Sequence, residues 1–192
     1  MAAVRPIISR LDAVNNIIGA IGEARLNTLE GAANVDAINA DSILNIWDVY
    51  VQDKGWTFNV NENYEVVPDS FSKKIKWQPQ WLRMVSSGGT PYTNRDGFLY
   101  DRLNSTAEFD ARFTVTLTEQ IPFEEMPFCF RQYITALARK QFNADYYGDP
   151  LIENTCDQII VLMQASVNEY ELDYGAYNML SSDTYISTAI GR

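Results

Sequence analysis

A chain of 192 residues with 46% apolar and 21% charged positions has the make-up of one ordinary folded domain. At this size it can bury roughly 70% of its unfolded surface, so it needs no metal or disulfide to hold a core. Its 15 basic and 25 acidic side chains leave a net charge of -10, which argues against gripping nucleic acid by phosphate neutralisation, and the absence of histidine removes Ser/His and Cys/His nucleophile pairs together with His-containing zinc sites.

The first helix signal is Ser9-Arg10-Leu11-Asp12, a capping box with Asp in place of the usual Glu. Leu11, Val14, Ile17, Ile18 and Ile21 follow on one helical face, and Gly22 supplies the stop. A second helix is predicted from Asn34 to Lys54, closed by Gly55, with Ile43, Ile46, Trp47 and Tyr50 as its apolar face. Asp36, Asp41 and Asp48 fall elsewhere on that helix, which places them toward solvent or a neighbouring chain. At Trp56 the period changes from 3.6 to 2, and Trp56, Phe58 and Val60 read as a strand leading through a polar turn to Tyr64-Glu65-Val66-Val67. Lys73, Lys74 and Lys76 precede a second strand, Trp77 to Val85, interrupted by Pro79. Ser86-Ser87-Gly88-Gly89 is a turn, Asp96-Gly97 a hairpin tip, and Phe113, Val115 and Leu117 alternate with threonines as a further strand. These segments predict an antiparallel sheet of four to six strands.

Helix returns after Pro122, where Met126, Phe130, Tyr133, Ile134, Leu137, Gln141 and Phe142 trace one stripe. Asp149-Pro150 is an N-cap followed by proline at the first helical position. It opens a long amphipathic helix through Ile152, Cys156, Ile159, Ile160, Met163, Val167 and Tyr170, closed near Gly175. From Ser181 to Ile190 the chain is small and polar, a tail expected to order only on a partner. The fold class is therefore α+β: a four-helix layer of two N-terminal and two C-terminal helices, with an antiparallel β block between the halves and an extended C-terminal tail. The divisions fall at 1–55, 56–121, 122–175 and 176–192.

Few residues invite catalysis. Cys129 and Cys156 stand 27 apart, which fits reduced core thiols rather than a CxxC pair or a disulfide framework. No phosphate loop, cofactor motif or metal-ligand spacing occurs. The longest apolar run, Ile159 to Met163, is far too short to span a membrane, and no targeting segment is visible, so a cytosol-like compartment is expected. Glu124-Glu125 is the kind of carboxylate pair a glycosidase would need, although acids at a helix start also suit the dipole there. Lys73, Lys74 and Lys76 serve either as solvated edge protection or as a partner contact, Lys74 and Lys76 sharing one face of a strand. Between Gln141 and Gly191 there are eight acids and no base, either a solubilising face or, in a ring, a wall that repels phosphates. Tyr, Phe and Trp make up 12% of the chain and crowd the run Tyr170 to Leu180, as at a subunit contact.

Collinear pieces of the chain resemble tail tubular protein A, the head-to-tail adaptor family of short-tailed bacteriophages. They include Thr28-Leu29-Glu30-Gly31, Ile43-Leu44-Asn45, Gly55-Trp56-Thr57-Phe58-Asn59, Asn94-Arg95, Tyr100-Asp101-Arg102, Glu125-Met126-Pro127, Gln141-Phe142-Asn143 and Gly148. Tyr170-Glu171, Asp173-Tyr174-Gly175 and Tyr177-Asn178-Met179-Leu180 are the most specific block. The resemblance implies a structural virion protein without enzymatic activity or cofactor, assembled in the host cytoplasm. It implies a ring of twelve copies joining the portal to the tail nozzle, with helices side by side, carrying the DNA channel without sequence-specific contact, and helping to anchor tail fibres. On that reading Tyr170, Tyr174, Tyr177, Asn178, Met179 and Leu180 meet a neighbouring subunit or the portal. Asp157, Glu169, Glu171 and Asp173 line the channel or its rim, and Lys73, Lys74, Lys76, Arg95 and Asp96 face nozzle or fibre.

Overall fold

The computed structural model describes residues 8–30, 34–86 and 88–175. Among these, two helices, α1 (Arg10–Gly19) and α2 (Val35–Asp53), precede five strands. The strands are β1 (Val60–Val66), β2 (Trp81–Ser86), β3 (Pro91–Arg95), β4 (Phe98–Asp101) and β5 (Phe113–Glu119). A 3-10 turn, Phe123–Glu125, leads into α3 (Phe128–Tyr146) and α4 (Pro150–Tyr174). The α+β class and the strand block between two helical pairs follow the reading of the sequence, while the tail beyond Gly175 lies outside the described residues.

Local chemistry sets the helix ends. Ser9 Oγ accepts from the Asp12 amide at 3.2 Å and Asp12 returns the bond to the Ser9 amide at 3.0 Å, closing the capping box. Asn34 and Asp149 cap α2 and α4 by accepting from the amides of Asp36 and Leu151. Glu124 does not serve the helix that follows it: α3 has no acid in its first turn, and Glu124 Oε1 instead accepts the Arg10 amide of α1 at 3.1 Å.

α3 is the centre of the helical layer and packs against α1, α2 and α4. Its fully buried Phe130, Ile134 and Phe142 meet Val14, Ile17 and Ile18 of α1 and Leu44 and Val51 of α2. The alternation at Trp56 and Phe58 does not make a strand. Both side chains lie in the turn before β1 and drive their rings into the helical core, with centroids 5.0 and 4.6 Å from Phe130. The apolar face of α2 is also rotated from expectation. Ile43 and Leu44 are buried and Trp47 donates to Gln141 of α3 at 2.7 Å, whereas Ile46 and Tyr50 are more than half exposed.

The sheet is antiparallel throughout, in the order β1-β5-β2-β3-β4. Asp96 and Gly97 at φ 54 and 80 form the turn between β3 and β4 that the Asp-Gly pair foretold. The strand expected from Trp77 is shorter: β2 begins at Trp81. Residues 67–80 instead form a strap that reaches the outer edge of β4, where the Leu99 amide donates to Ile75 O and the Trp77 amide to Gly97 O. The strap seats Ile75 and Trp77 against a second core built on Met84, Leu99, Val115 and Leu117.

A buried polar junction joins helices to sheet. Gln52, fully buried, donates to Ile121 O at 3.0 Å and accepts the Ile121 amide at 2.7 Å, so its amide copies a strand pairing. Asn59 donates to both Gln52 O and Glu119 O at 2.9 Å. Asp48, expected at the surface, is 2% exposed and accepts from Gln52 at 2.7 Å. The one-residue pattern of α2 could not separate it from its exposed neighbours, because its partner is an amide one turn on.

Candidate functional site

No enclosed catalytic constellation emerges from the described residues, which also hold no group of three or more Cys, Asp or Glu placed to bind a metal ion. Cys129 is half-buried and Cys156 buried; both are free thiols, and burial pushes both above the ordinary thiol pKa. Glu124 and Glu125 are exposed on the 3-10 turn, and Glu124 is engaged by the α1 backbone. None of the described helices is long and apolar enough to cross a membrane.

What the molecule does present is surface. α4 is the largest source: of its 25 residues only Cys156 and Val167 are fully buried, with Ile160, Met163 and Tyr170 packed partly against the core. Leu151, Val161, Leu162 and Leu172 are 63–74% exposed. α2 behaves alike on the other flank of α3, with Val35, Ile38, Ile46 and Tyr50 all more than half exposed. Sequence reasoning missed both outward stripes. The signal was there in α2, whose apolar residues cover more of the helix than one buried face can use.

The four acids singled out on α4 do not form one face. Asp157 is bound by Lys140 at 2.6 Å, with Glu153 3.9 Å from the same ammonium. Each raises the Lys140 pKa, the Asp157 hydrogen bond most of all. Glu171 accepts from the Thr57 hydroxyl at 2.8 Å and from the Thr57 amide, tying the end of α4 to the turn before β1. Glu169 and Asp173 are exposed on a different side of the helix and hold no ion pair among the described residues.

At the same end, Tyr170 and Tyr174 stack at 4.4 Å between centroids. Tyr170 also meets Phe130 edge-on at 5.7 Å, so half of this pair is anchored in the chain's own core while Tyr174 is 68% exposed. Tyr177, Asn178, Met179 and Leu180 lie outside the described residues.

The basic candidates of the β block gather around β4 and its strap, though not as one strand face. Lys73 sits at φ 55 closing a turn opened by Asp69, and pairs with Asp110. Lys74 Nζ lies 5.5 Å from the Phe98 ring, Lys76 bridges the Phe98 backbone, and the Arg95 guanidinium stacks 3.9 Å above Tyr100. Asp96 stands at the adjoining hairpin tip. Beside them a groove of about 710 Å³ runs between the strap and β1, with Tyr64, Trp81, Lys74 and Lys76 among its walls. The turn at Asp69 also displays Phe71, 100% exposed, a residue that periodicity did not single out.

A protein-family model described as tail tubular protein matches residues 11–177. A search of curated proteins finds no match to the chain.

Proposed function

The chain belongs to the tail tubular protein family and is a structural protein of a bacteriophage tail, and from that premise we propose that it is the head-to-tail adaptor, a ring of twelve copies between portal and tail nozzle. One observation carries the reading. A solitary soluble chain has no use for two helix flanks with large apolar side chains more than half exposed, and such patches mark sites of protein contact. In a ring both flanks are covered in every copy.

The same reading extends to the other candidate residues. The helical layer forms the body of the ring and the β block its nozzle-facing and fibre-facing end, with Lys74, Lys76, Arg95 and Asp96 as contacts around β4. Tyr174, followed by Tyr177, Asn178, Met179 and Leu180, meets a neighbouring subunit or the portal. Glu169 and Asp173 face the passing duplex, where unpaired carboxylates repel phosphate instead of binding it. Assembly takes place in the host cytoplasm and needs no cofactor.

Mass photometry of the purified chain, alone and with portal rings, tests the proposal. Twelve copies of 21.8 kDa add about 262 kDa to the portal. Rings in the chain alone would show that subunit contacts suffice, and rings only with portal would make the portal the template. A chain that stays near 21.8 kDa in both samples overturns the adaptor reading.

A further inference from the structure

We propose that the outward stripe of α4 in one copy packs against the outward stripe of α2 in the next, head to tail; the inference rests on the ring reading above and assigns its seam. At 3.6 residues per turn, Val35, Ile38, Ser42, Ile46 and Val49 of α2 fall within about 80° of one another. Gln158, Val161, Leu162, Ala165 and Leu172 of α4 fall within about 100°. α3 lies between the two helices, and each stripe points away from it.

Charge distribution selects a second copy as the occupant. The chain carries -10, yet between Ile38 and Val49 the α2 stripe holds no ionised side chain, and between Asn154 and Asn168 the α4 stripe holds none either. Asp41 is turned to Arg10 at 2.6 Å, Asp48 is buried, and Asp157 is turned to Lys140. Along these central lengths acids are thus held off the two surfaces where self-association of an acidic chain would otherwise be opposed, as at the core of a protein interface, while Asp53 of α2 and Glu169 of α4 fall on the same arcs only beyond them, toward each helix's C-terminal end.

Size agrees. Eight large apolar side chains at more than half exposure supply roughly 800 Å² at about 100 Å² apiece. The neutral polar residues between them carry the contact to the ~1,200 Å² at which specific interfaces begin. α2 is about 28 Å long and α4 about 37 Å, so either can cover the other's stripe. A two-fold contact of α4 on α4 would close as a dimer and leave both α2 stripes bare. Among single contacts only a heterologous pairing covers both in every copy, and such pairings form rings where the rotation between neighbours closes.

The test is thiol cross-linking with a short bis-maleimide of three variants of the full chain: Ile46→Cys, Leu162→Cys and the two combined. The wild-type chain, with Cys129 half-buried and Cys156 buried, gives the background. The combined variant is expected to yield a ladder rising in steps of 21.8 kDa, with each single variant at background. Dimers from Leu162→Cys alone would establish a two-fold contact and overturn the pairing. Rings of wild-type mass that give no ladder would also overturn it and leave the adaptor reading intact, whereas loss of rings in the wild-type chain as well, with and without portal, removes that reading too. Circular dichroism of each variant confirms that the chain compared is folded.

Discussion

Asp48 illustrates how a single residue bears the cost of the junction it helps to build. Burial is the largest influence on its carboxyl and raises its pKa above the ordinary 3.8; hydrogen bonds from Gln52 and Gln120 and the Arg10 charge pull downward, and Glu124 adds to the rise. The folded chain therefore holds the Asp48 proton more tightly than the unfolded chain does. Above the folded pKa the buried charge costs stability in full; the cost shrinks as pH falls through that pKa and is gone below 3.8. Asp48→Asn keeps an acceptor for Gln52 and removes the charge. We expect its melting temperature at pH 7 to rise by a few degrees over the parent, and the gain to vanish near pH 3.5. Thermal melts across this range check the sign, and a variant less stable than the parent at pH 7 would contradict it.

At the scale of elements, the passage from α2 into the sheet turns on Gly55. Its φ of 79 is a conformation that side chains disfavour, and a Cβ there would stand 2.7 Å from Arg83 Nη2. That same nitrogen donates to Lys54 O at 2.9 Å, so Arg83 clamps β2 to the end of the helix. Gly55→Ala is expected to destabilise the chain by about 1–2 kcal/mol, from backbone strain plus displacement of the clamp. In an Arg83→Ala background the second part should disappear, leaving about 1 kcal/mol, and urea midpoints of the four chains measure the coupling. Equal effects in both backgrounds would mean that the arginine yields freely.

Gly55 also marks what could be read in advance. Helix ends and hairpins depend on a few adjacent residues, so Ser9 with Asp12, Asn34, Gly55, Asp96-Gly97 and Asp149-Pro150 announced themselves in the sequence. The phase of α2 did not, because apolar residues surround much of that helix and only its contact with α3 decides that Trp47 turns inward and Ile46 outward. The strap was hidden for a similar reason: Ile75 and Trp77 alternate as a strand would, but their pairing is with β4, some twenty residues ahead. Of the candidate site, Lys73, Lys74 and Lys76 were legible as neighbours in the sequence, whereas their partners Asp110 and Phe98, on other elements, were not. The division of the α4 acids into bound and unpaired members was not, since Lys140 and Thr57 reach them from other elements.

For the whole molecule that division decides where charge can act. An exposed pair such as Asp157 with Lys140 contributes little to stability, and it is already neutralised inside each copy. Glu169 lies at the C-terminal end of the outward stripe of α4 and Asp173 beside it, both without such compensation, so in the proposed ring they recur at every seam. In the proposed ring of twelve, reversing both to Lys would place a dozen pairs of new cations around the channel, each able to hold a phosphate and release a counterion. Genome ejection from particles assembled with Glu169→Lys and Asp173→Lys should slow by at least several-fold at ~50 mM salt and recover toward the parent rate at ~200 mM, where screening is stronger. Asp157→Lys should leave the rate within about twofold of the parent, its effect confined to the loss of its pair with Lys140. Ring mass is measured first for each variant, so that a defect in assembly is not taken for one in passage. Intact rings carrying the double reversal and ejecting at the parent rate at both salt concentrations would show that these acids do not face the duplex, and would move the channel wall to another surface of the helical layer.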